Sequence, residues 1–136
     1  MADSLKSVLL ADDDNTLRDM YGERLKAEGF TVVMAQDGQE ALDKATEMLP
    51  NAILLDVMMP KMNGLDVLKK LKEQDSTKNI PIIILTALIQ DREKMESITR
   101  GADDYIVKSE TMPGEVITKI KVALEKNSGT QPQEQQ

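Results

Sequence analysis

The sequence holds no cysteine and no histidine. The first absence excludes a disulfide framework and any thiolate metal site. The second excludes a histidine base, a histidine phosphoacceptor and the usual zinc sites. No apolar run approaches the ~20 residues of a membrane-spanning helix. The start, Met1 to Lys6, lacks the long apolar segment of a signal peptide. Basic charge is in the minority: 17 Lys and Arg stand against 24 Asp and Glu, for a net charge of −7. That balance argues against direct binding of nucleic acid, whose phosphates are met largely by Lys and Arg. Together these absences point to the cytoplasm and to no membrane partner.

What is present reads as one soluble globular domain. The chain has 136 residues, 40% hydrophobic and 30% charged, enough for one core and too few for two ordinary ones. Short apolar runs alternate with stretches of helical periodicity. Ser7 to Ala11, Phe30 to Ala35, Ala52 to Asp56, Ile80 to Leu85 and Tyr105 to Val107 read as strands. Helices are expected over Asn15 to Glu28, from Asp37 to Leu49, over Gly64 to Gln74, Gln90 to Arg100, and Pro113 to Lys126. Asp14 or Asn15 can cap the first and Asp37 the second, while Gly29 sits where a C′ glycine belongs. The second helix would carry Ala41, Leu42, Ala45, Met48 and Leu49 on one face. Residues 1–126 are therefore read as the domain and 127–136, polar and Gln-rich, as a disordered tail. Five strands alternating with five helices imply a doubly wound parallel sheet with helices on both faces.

Strands of a parallel sheet all point one way, so their C-terminal ends share one edge, and ligands bind there. Four of those ends are polar: Asp12 with Asp13, Asp56, Thr86, and Lys108. The exit of the second strand, Ala35-Gln36-Asp37, is not assigned to the site. Asp56 closes the run Ile53-Leu54-Leu55 and precedes a turn containing Pro60, Asn63 and Gly64. Carboxylates crowded into one cleft raise each other's pKa, and a divalent cation removes that cost. All-oxygen donors favour Mg²⁺, with Mn²⁺ as an alternative. Attack of the Asp56 carboxylate on phosphorus would give an acyl phosphate, with Thr86 and Lys108 holding the other phosphoryl oxygens. Each acid has a blander reading as a cap or turn residue. Asp14 or Asn15 already offers the one cap that the first helix needs.

These residues resemble a response-regulator receiver domain of two-component, phosphorelay signalling, over about Ser7 to Lys126. The resemblance is carried by Leu10-Ala11-Asp12-Asp13-Asp14, Leu55-Asp56-Val57-Met58-Met59-Pro60 with Asn63-Gly64, Leu85-Thr86-Ala87, and Gly101-Ala102-Asp103-Asp104-Tyr105 through Lys108. It implies a flavodoxin-like sheet of order 2-1-3-4-5. By resemblance Asp56 is the phosphoacceptor, Asp13 binds Mg²⁺ directly, Asp12 acts mostly through metal-bound water, and Met58 offers its backbone carbonyl. Thr86 would bond the phosphoryl group, Lys108 would pair with that group or with Asp56, and Tyr105 would turn inward as Thr86 moves. The face of the fourth helix, fifth strand and fifth helix would then change its partner. The implied partners are a histidine kinase or phosphotransfer protein and a downstream protein target, with the chain a monomer or a phosphorylation-dependent dimer.

The chain departs from the family pattern at Ser109. Most receivers carry proline after the lysine, usually on a cis bond, whereas cis before serine costs ~2.5–4 kcal/mol, so a trans bond is expected at Lys108-Ser109. Two other readings compete with a single-domain switch that is not an enzyme. The chain could be the receiver half of a longer, DNA-binding regulator, although 136 residues leave no room for an output domain and no basic recognition helix is visible. It could be a Mg²⁺-dependent phosphohydrolase, but those enzymes typically place a second acid two residues after the nucleophile, where this chain has Met58.

Overall fold

The structure, a computed structural model, describes residues 6–87, 99, 101–108 and 113–127. Strands β1 (Ser7–Ala11), β2 (Thr31–Ala35), β3 (Ala52–Asp56), β4 (Ile82–Thr86) and β5 (Asp104–Val107) form one sheet. Every neighbouring pair is parallel. The order is β2-β1-β3-β4-β5, as the resemblance implied. Helices α1 (Asn15–Ala27), α2 (Gly38–Met48), α3 (Gly64–Glu73) and a C-terminal helix (Pro113–Asn127) complete the described elements. The helix expected over Gln90 to Arg100 lies outside the described residues except for Thr99. The expected tail lies outside them after Asn127, as does the Lys108-Ser109 bond. Among the described residues no helix is long and apolar enough to cross a membrane.

Side chains of a strand alternate between the two faces of the sheet. Val8, Leu10, Ala52, Leu54, Ile83, Leu85 and Ile106 share one cluster with Tyr21 and Leu25 of α1 and Val116, Ile117 and Ile120 of the C-terminal helix. Leu9, Ala11, Ile53, Leu55, Ile82 and Ile84 share the other with Ala41 and Ala45 of α2 and Val67, Leu68 and Leu71 of α3. Every residue of β3 and β4 is buried, because helices cover both faces and leave no polar side to alternate with.

Three helices open on a capping side chain. Asp14 caps α1 through Leu17 N–H at 3.1 Å, Asp37 caps α2 through Glu40 N–H at 2.8 Å, and Asn63 caps α3 through Asp66 N–H at 3.0 Å. One expectation fails at the far end of α2. Met48 and Leu49 are exposed, at 56% and 49%. Leu49 leaves the helix in the left-handed region with φ 48°, so the helical periodicity stops there and buried Pro50 follows.

Candidate functional site

The sheet face beneath α1 and the C-terminal helix carries its alternation through the strand exits. Asp12 follows Val8 and Leu10, Asp56 follows Ala52 and Leu54, and Lys108 follows Ile106. The hydrogen-bond ladder runs one residue past three strands. Asp12 N–H donates to Ala35 O (3.1 Å), Val57 N–H to Leu85 O (3.1 Å) and Lys108 N–H to Thr86 O (2.8 Å). Backbone order therefore persists as far as the polar side chains, and those three point into one place. Lys108 Nζ stands 3.1 Å from Asp12 Oδ2 and 3.2 Å from Asp56 Oδ1.

Both acids are buried, Asp12 at 0% and Asp56 at 2% exposure. Two carboxylates thus share one ammonium in a poorly solvated spot. Burial is the main cause that pushes Asp56 up to about 7, with the Asp12 charge second and Lys108 pulling the other way. For Lys108, burial pulls the ammonium down, but Asp56 and Asp12 together outweigh it and leave its pKa above the ordinary value. Tyr21, beneath the site on α1, is raised by burial first, against the opposing pull of Lys108.

Asp12 is held from two more directions. Its Oδ1 accepts from Asp14 N–H at 3.0 Å, and Arg18 Nη1 donates to its backbone carbonyl at 2.7 Å. Arg18 Nη2 also bonds Asn15 Oδ1. Among the described residues, Asp12 Oδ2 is the buried side-chain oxygen with no aligned hydrogen bond. Its contact with Lys108 is an ion pair, and a lone pair remains for another cation. Asp13 is exposed, yet Asp12, Asp13 and Asp56 each bring a carboxylate oxygen within 4.8 Å of the others. The Met58 side chain is 66% exposed.

The loop after Asp56 packs tightly at its base. Gly64 N–H donates to Val57 O at 2.8 Å. A Cβ on Gly64 would stand 2.0 Å from the Asp56 carbonyl oxygen, so a side chain there is excluded.

Thr86 and Tyr105 belong to the opposite face. Thr86 follows Ile82 and Ile84, is fully buried, and pairs in register with Val107. Tyr105 pairs with Ile84 and is half-buried against the α2–α3 side of the core. Asp56 itself pairs with Leu85, which places Thr86 one residue further along the neighbouring strand.

This arrangement can be set beside known proteins. The family model described as response regulator receiver domain matches residues 8–121. The chain is a response-regulator receiver domain. The receiver is 37% identical over 130 residues to the transcriptional regulatory protein CpxR of Escherichia coli K12, covering 96% of this chain and 54% of CpxR. It thus spans about half the length of the curated relatives it matches. Among solved structures, the receiver domain of a Francisella response regulator superposes with a TM-score of 0.82 at 32% identity, covering 90% of this chain and 99% of that one. The response regulator TrrA of Thermotoga maritima, solved in complex with Mg²⁺-BeF, gives 0.76 at 32% identity, covering 87% and 98%. The regulators among these relatives place the receiver in two-component signalling.

Sequence reasoning named every acid of the site and Lys108, but not how they connect. It offered Lys108 to Asp56 or to a phosphoryl group, whereas the ammonium of the receiver also contacts Asp12. It passed over Arg18, whose place one helical turn after Asp14 was the available signal. It also left the Asp37 exit unassigned, yet Gly38 N–H donates to Pro60 O at 3.2 Å and Lys61 Nζ lies 3.6 Å from Asp37 Oδ2. Nothing local in the sequence ties β2 to the loop after β3.

Proposed function

We propose that this receiver accepts one phosphoryl group on Asp56 in a Mg²⁺-dependent reaction and thereby changes its protein partner. The observation that carries this reading is the pair of buried carboxylates sharing Lys108, with Asp13 exposed beside them. A net negative charge in a buried site calls for a cation. The donor set fits Mg²⁺: oxygen ligands only, one exposed acid, and an unspent lone pair on Asp12 Oδ2. The Mg²⁺-BeF complex of TrrA supports the same assignment. Asp13, Asp56 and the Met58 carbonyl would hold the ion, with Asp12 acting through bound water; Mn²⁺ is an alternative. When bound, the ion neutralises charge between an anionic donor and an anionic nucleophile.

The chain's own part is positioning. An Asp56 carboxylate oxygen attacks phosphorus, the bond from phosphorus to the donor breaks, and the leaving group departs with its electron pair. A histidine kinase, a phosphotransfer protein or a small acyl phosphate can act as donor. Lys108, already beside Asp56, would meet the new phosphoryl oxygens as a point charge. Thr86 would donate its hydroxyl to another of them and Tyr105 would follow it inward, altering the face that includes β5 and the C-terminal helix. The test is intact mass after incubation with acetyl phosphate and Mg²⁺. One phosphoryl group should appear on the wild type and none on Asp56→Asn. Phosphate retained by that variant, or never gained by the wild type, refutes the assignment.

The half-length match to CpxR favours a second reading of the output: the receiver half of a transcriptional regulator, which would act on nucleic acid through another domain. Both readings share the same Asp56 chemistry.

A further inference from the structure

Gly38 occupies the first position of α2. Its backbone is not among those with positive φ, so no left-handed conformation demands glycine. Space does. A Cβ at Gly38 would fall 1.7 Å from Met62 O and 2.5 Å from Met62 C, and backbone cannot yield as a flexible side chain does. Gly38 N–H also donates to Pro60 O at 3.2 Å. Between these two contacts, Lys61 is held at φ 71° with its ammonium 3.6 Å from Asp37 Oδ2. Asp37 is itself buried at 9% exposure and caps α2 through Glu40 N–H.

The start of α2 therefore grips the far half of the loop 57–63, while Gly64 grips its base against the Asp56 carbonyl. Met58 lies between the two grips. Met58 is largely exposed, so the position of its carbonyl follows chiefly from its neighbours. We propose that Gly38 and Asp37 are positioning residues for the cation site, setting through the loop 57–63 where the Met58 carbonyl stands relative to Asp13 and Asp56. This rests on the reading of Met58 as a carbonyl ligand. Neither residue touches the ion; both act through a backbone that does. A positioning shell of this kind typically governs metal affinity by about tenfold or more.

The test is a Mg²⁺ titration of the full chain, followed by backbone NMR including the Met58 carbonyl carbon. Gly38→Ala, Asp37→Ala and, as a reference, Asp13→Asn are compared with the wild type. Gly38→Ala should weaken Mg²⁺ about tenfold, with the Met58 carbonyl signal displaced before any metal is added. Saturating Mg²⁺ should restore the maximal rate of phosphorylation by acetyl phosphate, which separates a defect of affinity from one of chemistry. Wild-type affinity in Gly38→Ala overturns the proposal. If Gly38→Ala does not fold, Asp37→Ala decides: a smaller but measurable loss of affinity supports the proposal and an unchanged one overturns it. Absence of a Mg²⁺ response in the wild type, or an unchanged titration of Asp13→Asn, refutes the cation site itself, and this inference falls with it.

Discussion

Lys108 reaches Asp12 at 3.1 Å although their strands are not neighbours. β3 and β4 lie between β1 and β5, and strands are spaced about 4.8 Å apart. The lysine side chain returns across the exits of both intervening strands and meets Asp56 on the way. It thereby ties the edge strand β5 to the middle of the sheet. The tie is also the charge balance of the site, one ammonium against two buried carboxylates.

That imbalance predicts how stability follows pH. Asp56 titrates at about 7 in the folded chain against an ordinary value of 3.8. The folded state binds this proton more tightly than the unfolded one. Its contribution is fully present below pH ~4 and is lost as pH rises to about 7. Asp56→Asn removes the charge and leaves Asp12 and Lys108 as a one-to-one pair. Without Mg²⁺ the variant should gain roughly 1–3 kcal/mol over the wild type at pH 8, with the gain shrinking toward pH 4. Urea titrations across that range check this. A constant difference between the two proteins would contradict the assignment of the shift to Asp56.

Lys108→Ala should do the opposite. Two buried carboxylates then lose their partner, which costs about 2 kcal/mol or more at pH 8 and less at pH 5, where one of them is protonated. Mg²⁺ should still bind, because the ammonium is not a ligand, and it should recover part of the lost stability. Thermal melting with and without Mg²⁺ is the measurement. Loss of Mg²⁺ binding would mean that Lys108 organises the ligands.

Asp13→Asn should weaken Mg²⁺ with little effect on metal-free stability. Asp13 is exposed, whereas Asp12 is buried and held from three sides. Asp12→Asn removes one of the two buried carboxylates that share Lys108, so it should change apo stability at pH 8 in the same direction as Asp56→Asn, whereas Asp13→Asn should not. Calorimetric Mg²⁺ titration beside urea unfolding separates the two acids. Equal effects of both substitutions on apo stability would show that burial does not divide their roles.

The switch prediction follows from the two faces. A phosphoryl group adds about two negative charges and strong acceptor oxygens, and Thr86 can reach it only by moving toward Asp56. Tyr105 lies on the same face as Thr86, one strand away. Beryllofluoride with Mg²⁺, used as a phosphoryl mimic, should shift the backbone NMR signals of Thr86 and Tyr105. Those of Leu54 and Ile83, packed in the core, should stay. Changes confined to the loops at Asp13 and Met58 would describe a chain that stores a phosphoryl group without switching.

Much of this molecule is legible without its fold. Hydrophobic runs with apolar residues on both faces mark β3 and β4, and helical spacing marks α1 to α3 and the C-terminal helix. Both are local patterns, carried by neighbours in the chain. The polar strand exits are legible for the same reason, because Asp12, Asp56, Thr86 and Lys108 each interrupt an apolar run. Strand order is not written in periodicity and came from family resemblance. The exposure of Met48 and Leu49 runs against their spacing: the left-handed turn at Leu49 takes that residue out of the helical period, and nothing in the structure explains Met48. The link from Lys108 to Asp12, and the seating of Pro60 and Met62 against Gly38, belong to the tertiary structure alone. A side-chain period says which face a residue takes. The residues it meets there depend on register and on the spacing of strands, which are settled only when both sheet faces are packed.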